Sequence, residues 1–227
     1  MIWERILVSD QIIAIDGPAA SGKGTLARKI ADALVFAYMD TGALYRMVGF
    51  TVLERGGDPG DHDEARDAAE FLRDYFSPDL LNNPKLREDE CGQAASKVAV
   101  VPAVRAALLD LQKNFSKNPG GSYKGAILDG RDIGTVIVPD APVKLYVTAS
   151  DEVRAERRLK ELQSKGLEVT YSTVLKDMRE RDARDMARDA APMKPADDAI
   201  VIDSSELGPD EMLDKALKII NERLPIS

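Results

Sequence analysis

Ile12-Ile13-Ala14-Ile15-Asp16-Gly17-Pro18-Ala19-Ala20-Ser21-Gly22-Lys23-Gly24-Thr25 is the stretch from which the rest of the chain is read. Four consecutive apolar residues predict a buried parallel strand, and Thr25-Leu26-Ala27-Arg28-Lys29-Ile30 opens a helical pattern. Gly17 to Lys23 between them match G-x-x-x-x-G-K. Such a loop needs glycine because its amides must turn inward and meet a phosphate with no side chain in the way. The helix behind adds free N–H groups and the positive end of its dipole, and Lys23 adds a full charge against the outer phosphates. The alternative is an ordinary glycine-rich turn with a surface lysine, and the order strand, loop, helix speaks against it. The residue after the lysine is Gly24 rather than the usual Ser/Thr, with Thr25 one place later. Direct metal ligation by Thr25 is therefore not expected.

Further strands are predicted over Val35–Asp40, Ala126–Asp129, Val143–Thr148 and Ala199–Asp203. Helical patterns run over Ala43–Arg55, Ala68–Phe76, Ala103–Phe115, from near Glu152 to Gly166, over Tyr171–Arg188 and over Pro209–Leu224. Asn82–Gln93 reads as charged and irregular, with Pro84 as a breaker. Short apolar strands alternating with helices describe an α/β fold with a doubly wound parallel sheet. In such sheets ligands bind beyond the carboxyl ends of the strands. Asp16, Asp40, Asp129 and Asp203 each end a strand, so polar groups gather along that edge.

The chain has 227 residues, enough for one sizeable core with small mobile inserts. Hydrophobic residues make up 44% and charged residues 31%, with a net charge of −8. That balance argues against a general nucleic-acid or membrane binder, which usually presents a basic surface. A polyanionic ligand must then meet a local cationic pocket in an acidic body. Cys91 is the only cysteine, which suits a reducing cytoplasm. No apolar run approaches membrane-spanning length. Met1–Asp10 reads as a short extension, with Trp3 and Ile6 over a core edge. His62 and Cys91 have no sequence partners that would make them ligands.

Two further clusters follow strands. Asp40-Thr41-Gly42-Ala43-Leu44-Tyr45-Arg46 comes after the second, and Asp129-Gly130-Arg131-Asp132-Ile133-Gly134-Thr135 after the third. Arg181, Arg184 and Arg188 are spaced i, i+3, i+7, so a single helix face carries all three. Taken alone, that run reads first as a solvated helix laced with ion pairs, an order that the glycine loop and the other motifs reverse. Tyr45 can be read as half-buried core, and Asp132 as a turn-capping carboxylate.

Lys23-Gly24-Thr25 resembles the loop of nucleoside monophosphate kinases more than that of GTPases or motor ATPases. The 40–46 and 129–135 clusters are similar to the D-T-G-A-[ML]-Y-R and D-G-R-D-[IM]-G-T signatures of bacterial cytidylate kinases. Arg181-Asp182-Ala183-Arg184-Asp185 resembles that family's R-D-x-R-D lid helix. Ala94-Ala95-Ser96-Lys97-Val98-Ala99 with Val104-Arg105 resembles its A-S-x-V-A…V-R stretch. The matches run from Ile12 to Asp203.

The resemblance implies a single kinase domain over 1–227 with the P-loop fold. That fold is a five-stranded parallel sheet with helices on both faces, a short nucleoside-monophosphate insert at about 58–97 and a helical lid at about 154–191. The core is then 11–57, 98–153 and 192–227. The implied reaction moves the γ-phosphoryl group of ATP to CMP or dCMP. Gly17, Pro18, Ala19, Ala20, Ser21, Gly22, Lys23, Gly24 and Thr25 would hold the ATP phosphates, with Lys23 on the moving group. Thr41, Tyr45, Arg46 and Arg131 would surround the acceptor phosphate. Ser96, Arg105 and Asp132 would read the cytosine edge. Arg181 and Asp185 would hold the ribose and Arg188 a phosphate. Arg157, Arg158 and Arg184 are further lid candidates on the ATP side. Mg2+ would ride on the ATP phosphates and water, touching Asp129 through a water molecule, with no protein-held metal. The family resemblance leans towards a monomer. Many members carry a longer insert with small strands; here Asp58–Gln93 is short and helical in pattern. A nucleotide-switched GTPase would need an N-K-x-D segment, which the sequence lacks. A kinase for UMP, AMP or shikimate stays open on the residues alone.

Overall fold

Ile12–Asp16 forms β1, and all five residues are buried. An unbroken apolar run fits that position because a central parallel strand is covered on both faces. In the computed structural model, which describes residues 11–224, β1 lies at the middle of a five-stranded sheet. Beside it run β2 (Ala37–Asp40), β3 (Ala126–Gly130), β4 (Val143–Thr148) and β5 (Ile200–Asp203), in the order β2-β3-β1-β4-β5. Every neighbouring pair is parallel. Met1–Asp10, and with it the reading of Trp3 and Ile6, lies outside the described residues.

The strand pleat sends alternate side chains to opposite layers. Ile13, Ile15 and Ile127 pack with Leu26 and Ile30 of α1 (Lys23–Leu34) and Met212 and Ile220 of α8 (Pro209–Arg223). Ile12, Ala14 and Leu128 face Ile133 and Ile137, with Phe115 of α5 (Pro102–Lys117) against them. Helices therefore cover both faces. A second cluster joins α5 to α2 (Thr41–Glu54), α3 (His62–Asp74) and α4 (Asp89–Val98) through Leu44, Val48, Leu72, Val98 and Leu108. Two further helices, α6 (Asp151–Ser164) and α7 (Tyr171–Met186), share Ala155, Leu162, Val174 and Met178. Among the described residues no helix is long and apolar enough to cross a membrane.

The sequence reading and the structure differ at several boundaries. β2 starts at Ala37, not Val35, because Val35 takes a left-handed φ of 57° to close α1. The helix expected over Ala68–Phe76 starts at His62 instead. Asp61 caps it by accepting from Asp63 N at 2.9 Å and Glu64 N at 3.0 Å. The tight turn Pro78–Asn82 leads into the stretch read as irregular, Asn82–Gln93, which holds a second tight turn, Pro84–Arg87, and then the start of α4 at Asp89. α7 ends at Met186, not Arg188, and the chain turns back so that Met193 N donates to Asp185 O at 2.9 Å.

Candidate active site

The loop after β1 is bent by three left-handed residues, Gly17 (φ 145°), Ala20 (φ 57°) and Gly22 (φ 86°). A Cβ on Gly17 would lie 2.0 Å from Val147 O, so only glycine fits. Lys23 opens α1. Its Nζ donates back to Pro18 O at 3.2 Å and lies 3.9 Å from Asp129 Oδ1. Burial, reinforced by the charge of Arg131, pushes its pKa down to about 8.

The parallel register sets Asp40 beside Asp129 at the ends of β2 and β3. Asp40 caps α2 by accepting from Ala43 N at 3.2 Å, and it pairs with Arg46 Nη2 at 2.6 Å. Thr41 Oγ1 donates to Asp129 O at 2.8 Å. Asp16 turns away from the crevice and accepts from Ile133 N and Gly134 N at 2.8 Å each. Burial pushes its carboxyl up to about 7 against those two bonds. The tether fixes the π-helical turn Ile133–Ile137, which the sequence reading missed, and with it the direction of Arg131 and Asp132.

Arg131 joins the two sides of the crevice. Its Nη1 donates to Gly17 O at 2.8 Å and its Nε to Asp185 Oδ2 at 3.0 Å. Asp185 also accepts from Ser96 Oγ at 3.2 Å and pairs with Arg188. Burial alone would raise the Asp185 carboxyl, but Arg131, Arg188 and Arg181 hold it below its usual value. Arg105 pairs with Asp132, and its guanidinium lies 5.8 Å from the centre of the buried Tyr45 ring. For Asp132 burial wins, and its pKa is raised.

These groups line one crevice of about 320 Å³, which brings together Lys23, Thr41, Tyr45, Arg46, Ser96, Arg105, Asp129, Arg131, Asp132, Arg181, Asp185 and Arg188. Among the described residues Arg181 makes no hydrogen bond through its buried Nε. Arg46 Nε, Arg105 Nη1 and Arg188 Nε are also buried without partners. Burial pushes the Arg181 pKa down to about 10, with the charge of Arg131 acting in the same direction. Unsatisfied buried donors are costly, so four of them around one cavity describe a site built for an anion.

Three predicted cations stand elsewhere. Arg157 is taken up by Ser204, donating to its Oγ at 2.9 Å and its O at 2.7 Å, and Ser204 Oγ donates to Ser21 O at 2.8 Å. Arg158 pairs with Asp89 at 2.5 Å and stands at the mouth of the crevice. Arg184 reaches Gln93 Oε1 at 2.9 Å and Ser96 Oγ at 3.3 Å. The last two, with Lys165 donating to Arg87 O at 3.1 Å, tie α6 and α7 to α4 and the turn before it. Asp203 ends β5 but is satisfied by Ser205 N at 2.9 Å, outside the crevice. One residue the sequence reading passed over is Arg154, buried beneath the glycine loop. In sequence it looks like one more charge of a solvated helix.

Asp129 Oδ1 is a buried acceptor without a hydrogen bond. A Cβ at Gly24 would come 3.1 Å from Asp129 Oδ2, so glycine there lets this carboxylate lie against the loop, while Thr25 is exposed. Among the described residues no three His, Cys, Asp or Glu side chains group as a metal cage. A single free carboxylate oxygen suits a hydrated cation brought in by a phosphate ligand.

The family model described as "Cytidylate kinase" matches residues 13–222. A curated "Cytidylate kinase" of Paramagnetospirillum magneticum is 59% identical over 212 residues, covering 93% of this chain and 98% of that protein. One of Rhodospirillum rubrum is 56% identical over 209 residues, covering 92% and 96%. The crystal structure of an uncharacterized protein from Eubacterium ventriosum superposes with a TM-score of 0.53 at 17% identity, over 94% of this chain and 99% of that one. That last likeness is one of fold alone.

Proposed function

The chain belongs to the cytidylate kinase family, and from that premise we propose how its crevice works. The protein is an enzyme that transfers the γ-phosphoryl group of ATP to CMP or dCMP, giving ADP and CDP or dCDP. An oxygen of the acceptor phosphate attacks the γ-phosphorus while the bond to the β-phosphate oxygen breaks and ADP leaves. No general base is needed, because the attacking phosphate is already anionic. Catalysis is then positioning and charge neutralisation.

The amides of Gly17–Thr25 hold the ATP phosphates, and Lys23 follows the group in transit. Arg131 stands between the two nucleotides. Thr41, Tyr45 and Arg46 receive the acceptor phosphate with Arg131. Ser96, Arg105 and Asp132 read the cytosine edge, Arg181 and Asp185 the ribose, and Arg188 a phosphate. Mg2+ adds charge neutralisation on the ATP phosphates when bound, and Asp129 would meet it through water. Arg158 guards the ATP side, Arg157 braces the loop through Ser204, and Arg184 joins lid to insert. The insert at about 58–97 and the lid at about 154–191 close over this crevice and exclude water. The protein works as a cytoplasmic monomer without nucleic-acid or membrane partners, in keeping with a net charge of −8.

The observation that carries this reading is the group of four arginines whose buried nitrogens lack partners around a cavity that also holds Lys23. An ADP-release assay with ATP across CMP, dCMP, UMP, AMP, GMP and shikimate tests it. CMP or dCMP is expected to be the preferred acceptor. Preference for any other acceptor would overturn it.

A further inference from the structure

We propose that Arg154 is a positioning residue that couples the phosphate loop to the lid, so that each nucleotide improves the binding of the other. The proposal rests on the reading of the crevice as a two-nucleotide kinase site.

Arg154 is 4% exposed and spends its guanidinium in four directions. Nε donates to Ala149 O at 3.2 Å, just past β4, and Nη2 to Asp151 Oδ1 at 2.6 Å in the first turn of α6. The first bond anchors it to the end of β4, the second to the start of its own helix. Nη1 donates to Ala19 O at 3.2 Å in the phosphate loop and to Asp182 Oδ2 at 2.6 Å on α7. A single nitrogen therefore holds both the loop and the lid.

The adjacent residues make that link consequential. Asp182 follows Arg181, the arginine with an unpartnered buried Nε on the crevice. Asp182 Oδ1 has no hydrogen bond of its own, so the Asp182 carboxylate is held through the single Arg154 contact, between the bonds of Arg179 to Asp151 and of Arg131 to Asp185 one turn to either side. Ala19 precedes Ala20, whose left-handed φ of 57° puts a bend in the loop and whose side chain packs on the lid cluster of Ala155, Leu162, Val174 and Met178. At Ala19 and Ala20 the loop thus meets α6 and α7 through one direct polar and one apolar contact, beside the bridges that Arg131 and Ser204 make at Gly17 and Ser21. Holding the Ala19 carbonyl towards Arg154 keeps a negative dipole away from the phosphates. A shift of α7 that turns Arg181 also moves the group that holds Ala19. ATP, by fixing the loop, and CMP, by fixing Arg181, both favour the same arrangement, and coupling of this kind is reciprocal. A planar fork with several donors is required; lysine keeps the charge but cannot reach four acceptors.

The test uses the full chain. CMP affinity is measured by calorimetry with and without a non-hydrolysable ATP analogue, alongside steady-state turnover. Wild type is expected to bind CMP about fivefold or more tightly when the analogue is present. In Arg154→Lys and in Asp182→Asn that factor should fall towards one, and kcat should drop about tenfold or more. Each nucleotide alone should keep its affinity within roughly threefold, on the expectation that the link acts between sites. A purely structural role would lower the melting temperature and leave the factor untouched. A folded variant with the wild-type factor, or a wild type with no factor, overturns the proposal. If Arg154→Lys does not fold, the isosteric Asp182→Asn decides; if both unfold, the pair is a folding element and the proposal falls. Wild type that turns over no CMP at all would instead refute the kinase reading.

Discussion

Lys23 and Arg181 are half-buried cations at the wall of the crevice, and each has a measurable consequence. The Lys23 pKa is pushed down to about 8 by burial, below its ordinary value, so in the free enzyme the amine loses its proton as pH rises through that value. ATP phosphates favour the charged form, so binding above this pH takes up a proton. kcat/KM for ATP, which reports the free enzyme, should therefore fall above pH about 8, approaching tenfold per unit. The alkaline limb of kcat should lie at higher pH, because bound phosphate restores the ammonium. A kcat/KM profile flat to pH about 9.5 would show that Lys23 keeps its proton. For Arg181 the stability effect is opposite in sign to the catalytic one. Its Nε is buried and unpaired and its pKa is pushed down to about 10, so it destabilises the ligand-free fold. Arg181→Gln should leave the melting temperature unchanged or raised, while turnover falls roughly tenfold or more. A variant that loses stability along with activity would assign Arg181 a structural place. Both residues were legible in the sequence because each sits in a motif whose spacing has a chemical meaning. Arg154 was not, because burial is what sets it apart from Arg157 and Arg158, and a short charged helix does not announce which of its arginines points inward.

The glycine loop is held to the sheet by contacts that tolerate no side chain. Gly17 has a φ of 145°, and an added Cβ would meet Val147 O of β4 at 2.0 Å. Gly17→Ala must therefore move β4 or open the loop, at about 3–5 kcal/mol from overpacking and backbone strain together. For a chain of this length that is roughly 6–20 °C in melting temperature. ATP affinity should fall with it, since the loop amides no longer converge. A folded Gly17→Ala protein within a few degrees of wild type would contradict the geometry. At this scale the strands were legible, since apolar runs such as Ile12–Ile15 and Val143–Thr148 are bounded by turn residues. The boundaries that escaped were set by side chains acting on backbone. Asp61 starts α3 earlier than hydrophobic spacing indicates, and Asp16 shapes the Ile133–Ile137 turn from 117 residues away. Local pattern carries no record of such a partner.

The whole molecule carries a net charge of −8, yet its crevice gathers Lys23, Arg46, Arg105, Arg131, Arg181 and Arg188. Composition made half of this legible: an acidic body can hold two anionic nucleotides only in a local cationic pocket. Where the cations meet depends on register and packing, which set β2 and β3 side by side and lay α7 across the carboxyl edge. The same contrast separates what salt can reach from what it cannot. On the proposed closure, a nucleotide approaching the crevice is drawn by a field that crosses water, and the screening length shrinks from about 10 Å at 0.1 M salt to about 3 Å at 1 M. With Arg158 bonded to Asp89 and Arg184 to Gln93, the proposed closed crevice surrounds the transferring group with buried charges that ions screen little. Raising KCl over that range should therefore raise KM for both nucleotides several-fold while kcat stays within about twofold. Steady-state kinetics at fixed pH and free Mg2+ checks this. A fall in kcat matching the rise in KM would mean that the crevice stays open to solvent during phosphoryl transfer, and that the insert and lid do not seal it.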